Sequence, residues 1–175
     1  MNEREALMRD YLGAWNDRDA ARIASFFADE AVYEDRGAGA VLRGPAEIAA
    51  HAARVHAGFS DLEFELVRAA HGDDFTAGEW RSRMTHTGTF EGLAPTGRVV
   101  ESAGVDVATL DADGRIRHLA SYYDGAEIMR ALGLLPDRGS RTERAFVRAA
   151  SALTRLRAAP RDGRRTTPGS SRSPR

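Results

Sequence analysis

The chain has 175 residues, 42% of them hydrophobic, with 25 basic and 26 acidic side chains and a formal net charge of −1. It contains no Cys, which excludes a disulfide framework, a thiolate metal site and a Cys nucleophile. The charged first ten residues lack the apolar segment of a secretory signal, and no apolar run approaches the roughly 18 residues of a membrane span, so a soluble, cytoplasmic protein is predicted.

Two helices are predicted at the start of the chain, over Glu3–Asn16 and from Asp19 to Ala28. The first carries apolar residues at three- and four-residue spacing, and Asp19 is of a type that caps helix N-termini. The side chains expected to be buried are Met8, Tyr11, Leu12 and Trp15 in the first helix and Ile23, Phe26 and Phe27 in the second.

A short strand, a third helix and four longer strands are predicted next. The alternation in Ala31–Arg36 indicates a strand that Gly37–Gly39 ends, and Pro45 is placed for the first turn of a helix that runs to about Ala57. The later strands, which are separated by turns rich in Gly and Asp, are Asp61–His71, Phe75–His86, Arg98–Leu110 and Arg115–Asp124.

This order of elements predicts an α+β fold. A last short helix over Glu127–Leu132 ends at Gly133. Helices packed on one face of a curved antiparallel sheet make a cone-shaped domain with a cavity between the two layers. We therefore expect one domain over residues 1–136, with a small-molecule site between helices and sheet.

Residues 137–175 form a basic extension whose composition differs from that of the body. Residues 1–135 hold 14 Arg and 23 acidic residues, whereas residues 136–175 hold 11 Arg and 3 acidic residues. The pattern predicts an amphipathic helix over 141–158 and disorder over the Arg-, Ser- and Pro-rich residues 160–175. A solvated extension, or one docked on the acidic body, is favoured; contact with nucleic acid or an anionic membrane is the alternative.

Several motifs resemble those of a known superfamily. The segments Tyr11–Asn16 and Phe27–Val32, with the order of the elements, are similar to the nuclear-transport-factor-two-like superfamily. Within it, the hairpin Thr85–Gly92 followed by Pro95–Arg98 resembles that of the SnoaL-like polyketide cyclases, also called ester cyclases. The segments that fit the same family are Asp113–Ile116, Tyr122–Asp124 and Leu132–Pro136. The resemblance implies a cone-shaped, cystatin-like fold over residues 3–136.

A second resemblance lies within the first. Ketosteroid isomerases share this fold and use a Tyr on the first helix and two Asp on strands; Tyr11, Asp35 and Asp106 fall at matching places. The resemblance implies that Asp35 is a catalytic base, and that Tyr11 and Asp106 donate hydrogen bonds to an enolate oxygen.

The chain also departs from its relatives at two positions. SnoaL-type aldol cyclases and limonene epoxide hydrolases place a catalytic Asp on the last strand, where this chain has Ser121. The His that such cyclases carry on the preceding strand falls at Asp106. Neither mechanism is therefore expected to carry over intact.

The residues themselves also favour enolisation chemistry. Asp106 is predicted to share a strand face with Val100 and Ala108, where a carboxyl is costly to ionise, so its pKa should rise and leave the neutral acid at pH 7. A neutral acid and the hydroxyl of Tyr11 would stabilise an enolate while Asp35 takes the proton. The plainer alternatives are that Tyr11 only packs, that Asp35 ends a strand at a turn, and that Asp106 faces solvent.

Other side chains are candidates for the cavity lining. The predicted substrate-binding residues are Phe27, Phe59, Trp80, Met84, His86, His118 and Ser121. Core packing also explains most of the apolar ones, and ordinary hydrogen bonding explains the two His, which are otherwise candidate proton relays. The five His show no ligand spacing, so no metal and no cofactor are predicted.

The favoured function is a cofactor-independent enzyme that enolises a hydrophobic carbonyl compound, as a polyketide cyclase or a ketosteroid-isomerase-like isomerase does. The alternatives are a non-catalytic ligand-binding or assembly protein of the same fold, and an epoxide-opening cyclase or hydrolase. The expected partners are a hydrophobic small molecule and, by family resemblance, a second copy that pairs through the open face of the sheet.

Overall fold

The computed structural model describes residues 3–158. These residues form two compact units, 3–135 and 136–158. Within the described residues, no helix is long and apolar enough to cross a membrane. The predicted disorder of residues 160–175 lies outside the described part of the chain.

The first unit combines helices with a six-stranded sheet. Its helices are α1 (Glu3–Asn16), α2 (Ala20–Ser25), α3 (Gly44–Gly58) and α4 (Gly125–Ala131). Its strands are β1 (Phe27–Asp35), β2 (Ala40–Arg43), β3 (Glu63–His71), β4 (Phe75–Thr85), β5 (Val99–Leu110) and β6 (Ile116–Tyr123). Helices packed on a curved sheet confirm the predicted α+β class.

The sheet brings the first and the last strands of the unit together. Its order is β2-β1-β6-β5-β4-β3, and every neighbouring pair is antiparallel except β1 and β6, which run parallel. The sequence predicts the antiparallel run β3 to β6 but not the β1–β6 pair, because pairing between distant segments leaves no local pattern.

The boundary between α2 and β1 differs from the prediction. The spacing of Ile23, Phe26 and Phe27 predicts a helix to Ala28, but α2 ends at Ser25 and β1 begins at Phe27. The register of β1 against β6 shifts between Phe27 and Val32, and this bulge breaks the two-residue alternation that would identify a strand. The strand β2 has only four residues, too few for a periodic signal.

The core of the first unit lies between α1, α3 and the inner face of the sheet. Ile48 of α3 and Ile116 and Leu119 of β6 are completely buried, and burial of each such side chain contributes about 1.5–3 kcal/mol. Every residue of this core precedes residue 133. The first unit therefore has a hydrophobic core of its own.

The second unit contains the helix α5 (Arg141–Ala158). A capping arrangement begins it: the Oγ of Ser140 accepts from the backbone N–H of Glu143 at 3.0 Å, and the Glu143 carboxylate accepts from the N–H of Gly139 at 2.6 Å. The large apolar side chains that it leaves about half exposed are Phe146, Val147 and Leu153.

Candidate active site

Three polar side chains form a row across three neighbouring strands. Asp35 of β1 is paired with Ser121 of β6, which is paired with Asp106 of β5. Residues paired across strands point to the same face, and here that is the inner face, because the three side chains are only 5%, 3% and 4% exposed. The alternative that Asp106 faces solvent is therefore wrong.

Asp106 is buried with two hydrogen-bond donors on one carboxylate oxygen. Trp80 Nε1 donates to Oδ1 at 2.9 Å, and Ser121 Oγ donates to the same atom at 2.6 Å. Burial raises the pKa of Asp106 to about 6, and the two hydrogen bonds limit this rise because they favour the ionised form. The predicted direction of the shift holds, but the predicted neutral acid at pH 7 is wrong, since about nine-tenths of a group with this pKa is then ionised.

Trp80 reaches Asp106 because Gly104 leaves room for the indole. Gly104 is paired with Trp80, and a Cβ on Gly104 would lie 2.5 Å from the indole ring. The ring centroids of Phe64 and Tyr123 lie 5.2 and 6.0 Å from that of Trp80. These contacts hold the indole with its N–H toward the carboxylate.

Asp35 has a turn contact and two titratable neighbours. Its Oδ1 accepts from the backbone N–H of Ala38 at 2.9 Å, and its carboxylate accepts from the hydroxyl of Tyr123. His51 Nε2 lies 3.8 Å from Oδ2. Burial lowers the pKa of His51, and the carboxylate opposes only part of this effect, so the imidazole is neutral at pH 7. Asp35 thus ends its strand at a turn, which is the plainer alternative predicted from the sequence. It also belongs to the buried cluster of polar side chains.

Tyr11 and Tyr33 form an aromatic wall beside the two carboxylates. Tyr33 is stacked on Phe27 at 6.2 Å between centroids, and Tyr11 packs edge-on against Phe27 at 5.8 Å. Burial raises the pKa of both hydroxyls well above the usual value, and the charges of Asp106 and Asp35 raise it further. Both hydroxyls are therefore protonated at neutral pH and able to donate. Tyr11, Asp35 and Asp106 are brought together on one side of the core.

The predicted lining residues divide into two groups. Trp80 and Ser121 contact Asp106, and Phe27 packs against Tyr11 and Tyr33 of the aromatic wall. Met84 lies four residues beyond Trp80 along β4, roughly 13 Å away at the usual rise of a strand. Phe59 and His86 pack on each other at 5.2 Å beyond the end of that strand. Phe59, Met84 and His86 therefore belong to a different part of the core.

His86 is held by the hairpin that follows β4. It is completely buried, and its Nδ1 accepts from the backbone N–H of Thr96 at 3.2 Å. The hydroxyl of Thr96 lies 3.1 Å from the same nitrogen. Because Nδ1 accepts the bond from the Thr96 N–H, a ring proton lies on Nε2, which has no hydrogen-bond partner among the described residues. The prediction that His86 lines the carboxylate site is not supported by these contacts.

His118 lies on the opposite face of the sheet, so its predicted place in the cavity lining is wrong. Its neighbours in register are Val32 and Thr109, and its Nε2 is 3.5 Å from the carboxylate of Glu34. The pairing of β5 with β6 shifts between Thr109 and Leu110. Because of this irregularity, side chains do not alternate regularly between the two faces of the sheet just after Ile116. The rule that every second residue shares a face therefore places His118 on the inner face with Ile116, which is wrong.

Sequence reasoning missed three residues of the site, namely His51, Tyr33 and Tyr123. Tyr33 and Tyr123 each lie two residues from a predicted site residue on the same strand, so the strand period places them on the same face. His51 lies on the buried face of α3. The two-residue step was thus a usable signal for the tyrosines, whereas a lone His on an apolar helix face points to core packing as readily as to a site.

The carboxylate row is enclosed in the described structure. A surface cleft of about 710 Å³ has Leu7, Phe26 and Leu110 among its lining residues, and another of about 640 Å³ is lined mainly by β3, β4 and β5. Neither cleft is lined by Tyr11 or by the two Asp. The described residues also contain no group of three or more His, Asp or Glu placed to hold a metal ion.

Helices over a curved sheet, with a polar row on the inner face, define a domain of the nuclear-transport-factor-two-like class, to which ketosteroid-isomerase-like folds belong. The chain belongs to the SnoaL-like polyketide cyclase family, whose model matches residues 5–132. This membership supports a cyclase-type function. A comparison with curated proteins gave no match.

Solved structures share the fold. AclR from Streptomyces galilaeus, provisionally described as a hydroxylase, is 24% identical over 89% of this chain and 96% of its own, with a TM-score of 0.69. IdmH from Streptomyces antibioticus, provisionally described as a polyketide cyclase, is 22% identical over 75% and 99%, with a TM-score of 0.64. A hypothetical protein from Catenulispora acidiphila with a ketosteroid isomerase-like fold, in complex with trimethylamine, is 16% identical over 73% and 92%, with a TM-score of 0.63. At these identities the likeness shows the fold alone.

Proposed function

We propose that this chain is a cofactor-independent acid–base enzyme that removes the proton next to a carbonyl group of a hydrophobic, polyketide- or steroid-like substrate. The observation that supports this most directly is the convergence of two buried carboxylates, Asp35 and Asp106, with the protonated hydroxyl of Tyr11. Acid–base pairs in such surroundings are typical of catalytic sites.

In this proposal Asp106 is the base. A base works best when its pKa lies near the working pH, and the pKa of Asp106 is about 6. Among the described residues, the side chain of Asp106 accepts both of its hydrogen bonds, as an ionised carboxylate does. This reverses the roles that the resemblance to ketosteroid isomerases implies, in which Asp106 donates a hydrogen bond and Asp35 takes the proton.

Tyr11 then stabilises the enolate. The carboxylate of Asp106 takes the proton of the C–H bond next to the carbonyl, and the electron pair of that bond moves onto the carbonyl oxygen. The raised pKa of Tyr11 keeps its hydroxyl protonated, so it can donate to that oxygen. Return of the proton at another carbon gives an isomer, whereas attack of the enolate carbon on a second carbonyl closes a ring.

The test is exchange of the acidic C–H protons of a β,γ-unsaturated ketone in D₂O, followed by NMR. We expect exchange above the buffer rate, a loss of about 100-fold or more in Asp106→Asn, and a smaller loss in Tyr11→Phe. If Asp35→Asn abolishes exchange while Asp106→Asn does not, Asp35 is the base. Folded wild-type protein without any exchange would contradict enolisation of this substrate class.

A non-catalytic ligand-binding or assembly protein is the second candidate, and the enclosure of the site favours it. Tyr11, Asp35 and Asp106 are at most 5% exposed, and neither described cleft reaches them. A protein of this kind would be stabilised by a hydrophobic carbonyl compound, with a raised unfolding temperature, and would show no proton exchange on that compound. Measuring both properties on one sample separates the two candidates.

A further inference from the structure

Within the described part of the chain, both hydrogen bonds of the Asp106 carboxylate are to one of its two oxygens. Trp80 Nε1 and Ser121 Oγ both donate to Oδ1, at 2.9 and 2.6 Å. Two donors on one oxygen fix the rotation of the carboxylate and draw negative charge toward that oxygen. A proton that binds the carboxylate then goes to the other oxygen, Oδ2, because a proton on Oδ1 would displace one of the two donors.

The donors are themselves held in place. The indole of Trp80 lies over Gly104, where a side chain would collide with it, and between the rings of Phe64 and Tyr123. Ser121 is directly paired with Asp106 and is 3% exposed, so its hydroxyl has little freedom to turn away. The anchor is thus built from three strands and does not depend on a mobile surface group.

We propose that Trp80 and Ser121 are positioning residues, which together hold Oδ1 of Asp106 and leave Oδ2 as the atom that takes and returns the proton. The proposal rests on the proposed function for its catalytic meaning, but the anchor itself is a property of the folded protein. Sequence reasoning placed both residues in the substrate lining, whereas their contacts assign them to the base.

The first experiment measures the proton affinity of Asp106 directly. The side-chain carboxyl of Asp106 is followed by ¹³C NMR against pH in the wild type, Trp80→Phe and Ser121→Ala, with Asp106→Asn to identify its signal. Each variant removes one donor to the ionised form, so we expect its pKa to rise by about one unit, a tenfold gain in proton affinity. Ser82→Ala is the matched control and should leave the pKa unchanged. Ser82 is a buried serine on the same face of β4 as Trp80, and among the described residues it makes no hydrogen bond to Asp106.

The pKa of Asp106 in the two variants decides between support for the proposal and its rejection. A higher pKa of Asp106 in both variants supports the proposal. An unchanged pKa in both variants, or a higher pKa in only one of them, overturns the proposal that the two residues hold Oδ1 together. Amide spectra show whether each variant is folded, and Ser121→Ala, which removes a single oxygen atom, keeps the proposal testable if Trp80→Phe does not fold.

The second experiment separates the anchor from the reaction. In the exchange assay, the exchange rate falls on the acidic side of the pH profile as the base is protonated. The midpoint of this fall should move to higher pH in Trp80→Phe and Ser121→Ala, by the same amount as the pKa measured by NMR. If the NMR pKa moves and the wild type shows no exchange, the proposed function fails while the anchor stands. If the wild type exchanges protons and the midpoint does not follow the NMR pKa, Asp106 is not the base that the anchor serves.

Discussion

At the scale of single residues, Asp106 destabilises the folded protein when it is ionised. Its pKa is raised by burial from 3.8 to about 6, so the folded protein holds the proton more tightly than the unfolded chain. The contribution of Asp106 to the free energy of unfolding is most favourable below pH 3.8. It becomes less favourable as the pH rises toward 6, and it stays unfavourable above that. A buried charge that weakens the fold is the pattern expected of a functional residue, since selection for packing alone would remove it.

Replacement of Asp106 by Asn should therefore stabilise the protein at pH 8. The neutral amide keeps an oxygen that accepts from Trp80 and Ser121, and it removes a penalty of about 2–3 kcal/mol. Urea unfolding of both proteins at several pH values measures the difference, which should shrink as the pH falls from about 6 to about 4 and vanish below that. A variant less stable than the wild type at pH 8 would show that the carboxylate is better compensated than its pKa indicates.

The sequence predicted which residues converge, but not what each one does there. Asp35 and Asp106 could be found because a carboxyl on an apolar strand face is unusual in any fold. The ionisation of Asp106 could not be found, because it depends on an indole that arrives from β4 and a hydroxyl from β6. These donors are set by strand register, which a single sequence does not fix.

At the scale of elements, glycine positions show where two strands make room for a side chain. Gly104 on β5 lies against the indole of Trp80 and against the carbonyl oxygen of Tyr122, which is 2.6 Å from where a Cβ would be. Backbone cannot move aside as a flexible side chain can. By contrast, among the described residues and apart from the adjoining backbone of its own helix, Gly13 in α1 has no atom within 4 Å of the corresponding position.

The substitution Gly104→Ala should destabilise the first unit by about 2 kcal/mol or more, because overpacking forces the indole or the strand to shift. The matched change Gly13→Ala should stabilise it by about 0.5–1 kcal/mol, since Ala is the better residue inside a helix. Chemical unfolding compares the two variants. Equal effects of the two would contradict the close contact at Gly104.

The helix α5 offers a second test at this scale. Ser140→Ala removes the oxygen that accepts from the N–H of Glu143, and loss of such a cap costs about 1 kcal/mol. Amide hydrogen exchange in the first turn of α5 should become about fivefold faster. Ser151→Ala, at an exposed serine in the middle of α5, is the control, because it leaves the capping contacts of Ser140 and Glu143 in place. Unchanged exchange in Ser140→Ala would show that the cap does not support the helix.

Strands and helices with an unbroken period were predicted well, and the failures coincide with breaks in that period. The strand β4 was predicted to within one residue. At Phe27 a bulge conceals the start of β1, and beside Leu110 another irregularity reverses the face of His118. An irregularity depends on the partner strand, so the sequence of one strand alone does not reveal it.

At the scale of the whole molecule, the core and the candidate site both lie in the first unit. A chain that ends at residue 138 should therefore fold, with a free energy of unfolding within about 1 kcal/mol of the full chain. Thermal unfolding followed by circular dichroism measures this. Absence of a cooperative transition in the shortened chain would show that the first unit needs the second.

Pairing of two copies through the outer face of the sheet stays a prediction. That face exposes Val105 and Tyr122, which are 37% and 50% accessible. Light scattering should give a mass near twice 19.0 kDa, and Val105→Arg should lower it toward that of one chain. The change Arg117→Ala, at an exposed residue of the neighbouring strand, is the control. A single-chain mass for the wild type would contradict the prediction.

The contact between Trp80 and Asp106 also gives the protein a natural optical reporter. The chain has only two Trp, and the other, Trp15, lies edge-on to His51 and His56. In a Trp15→Phe background all indole emission comes from Trp80, whose N–H is 2.9 Å from the carboxylate. The colour and intensity of that emission follow the local charge, so carbonyl compounds can be screened for binding beside Asp106 by fluorescence, before any product is known.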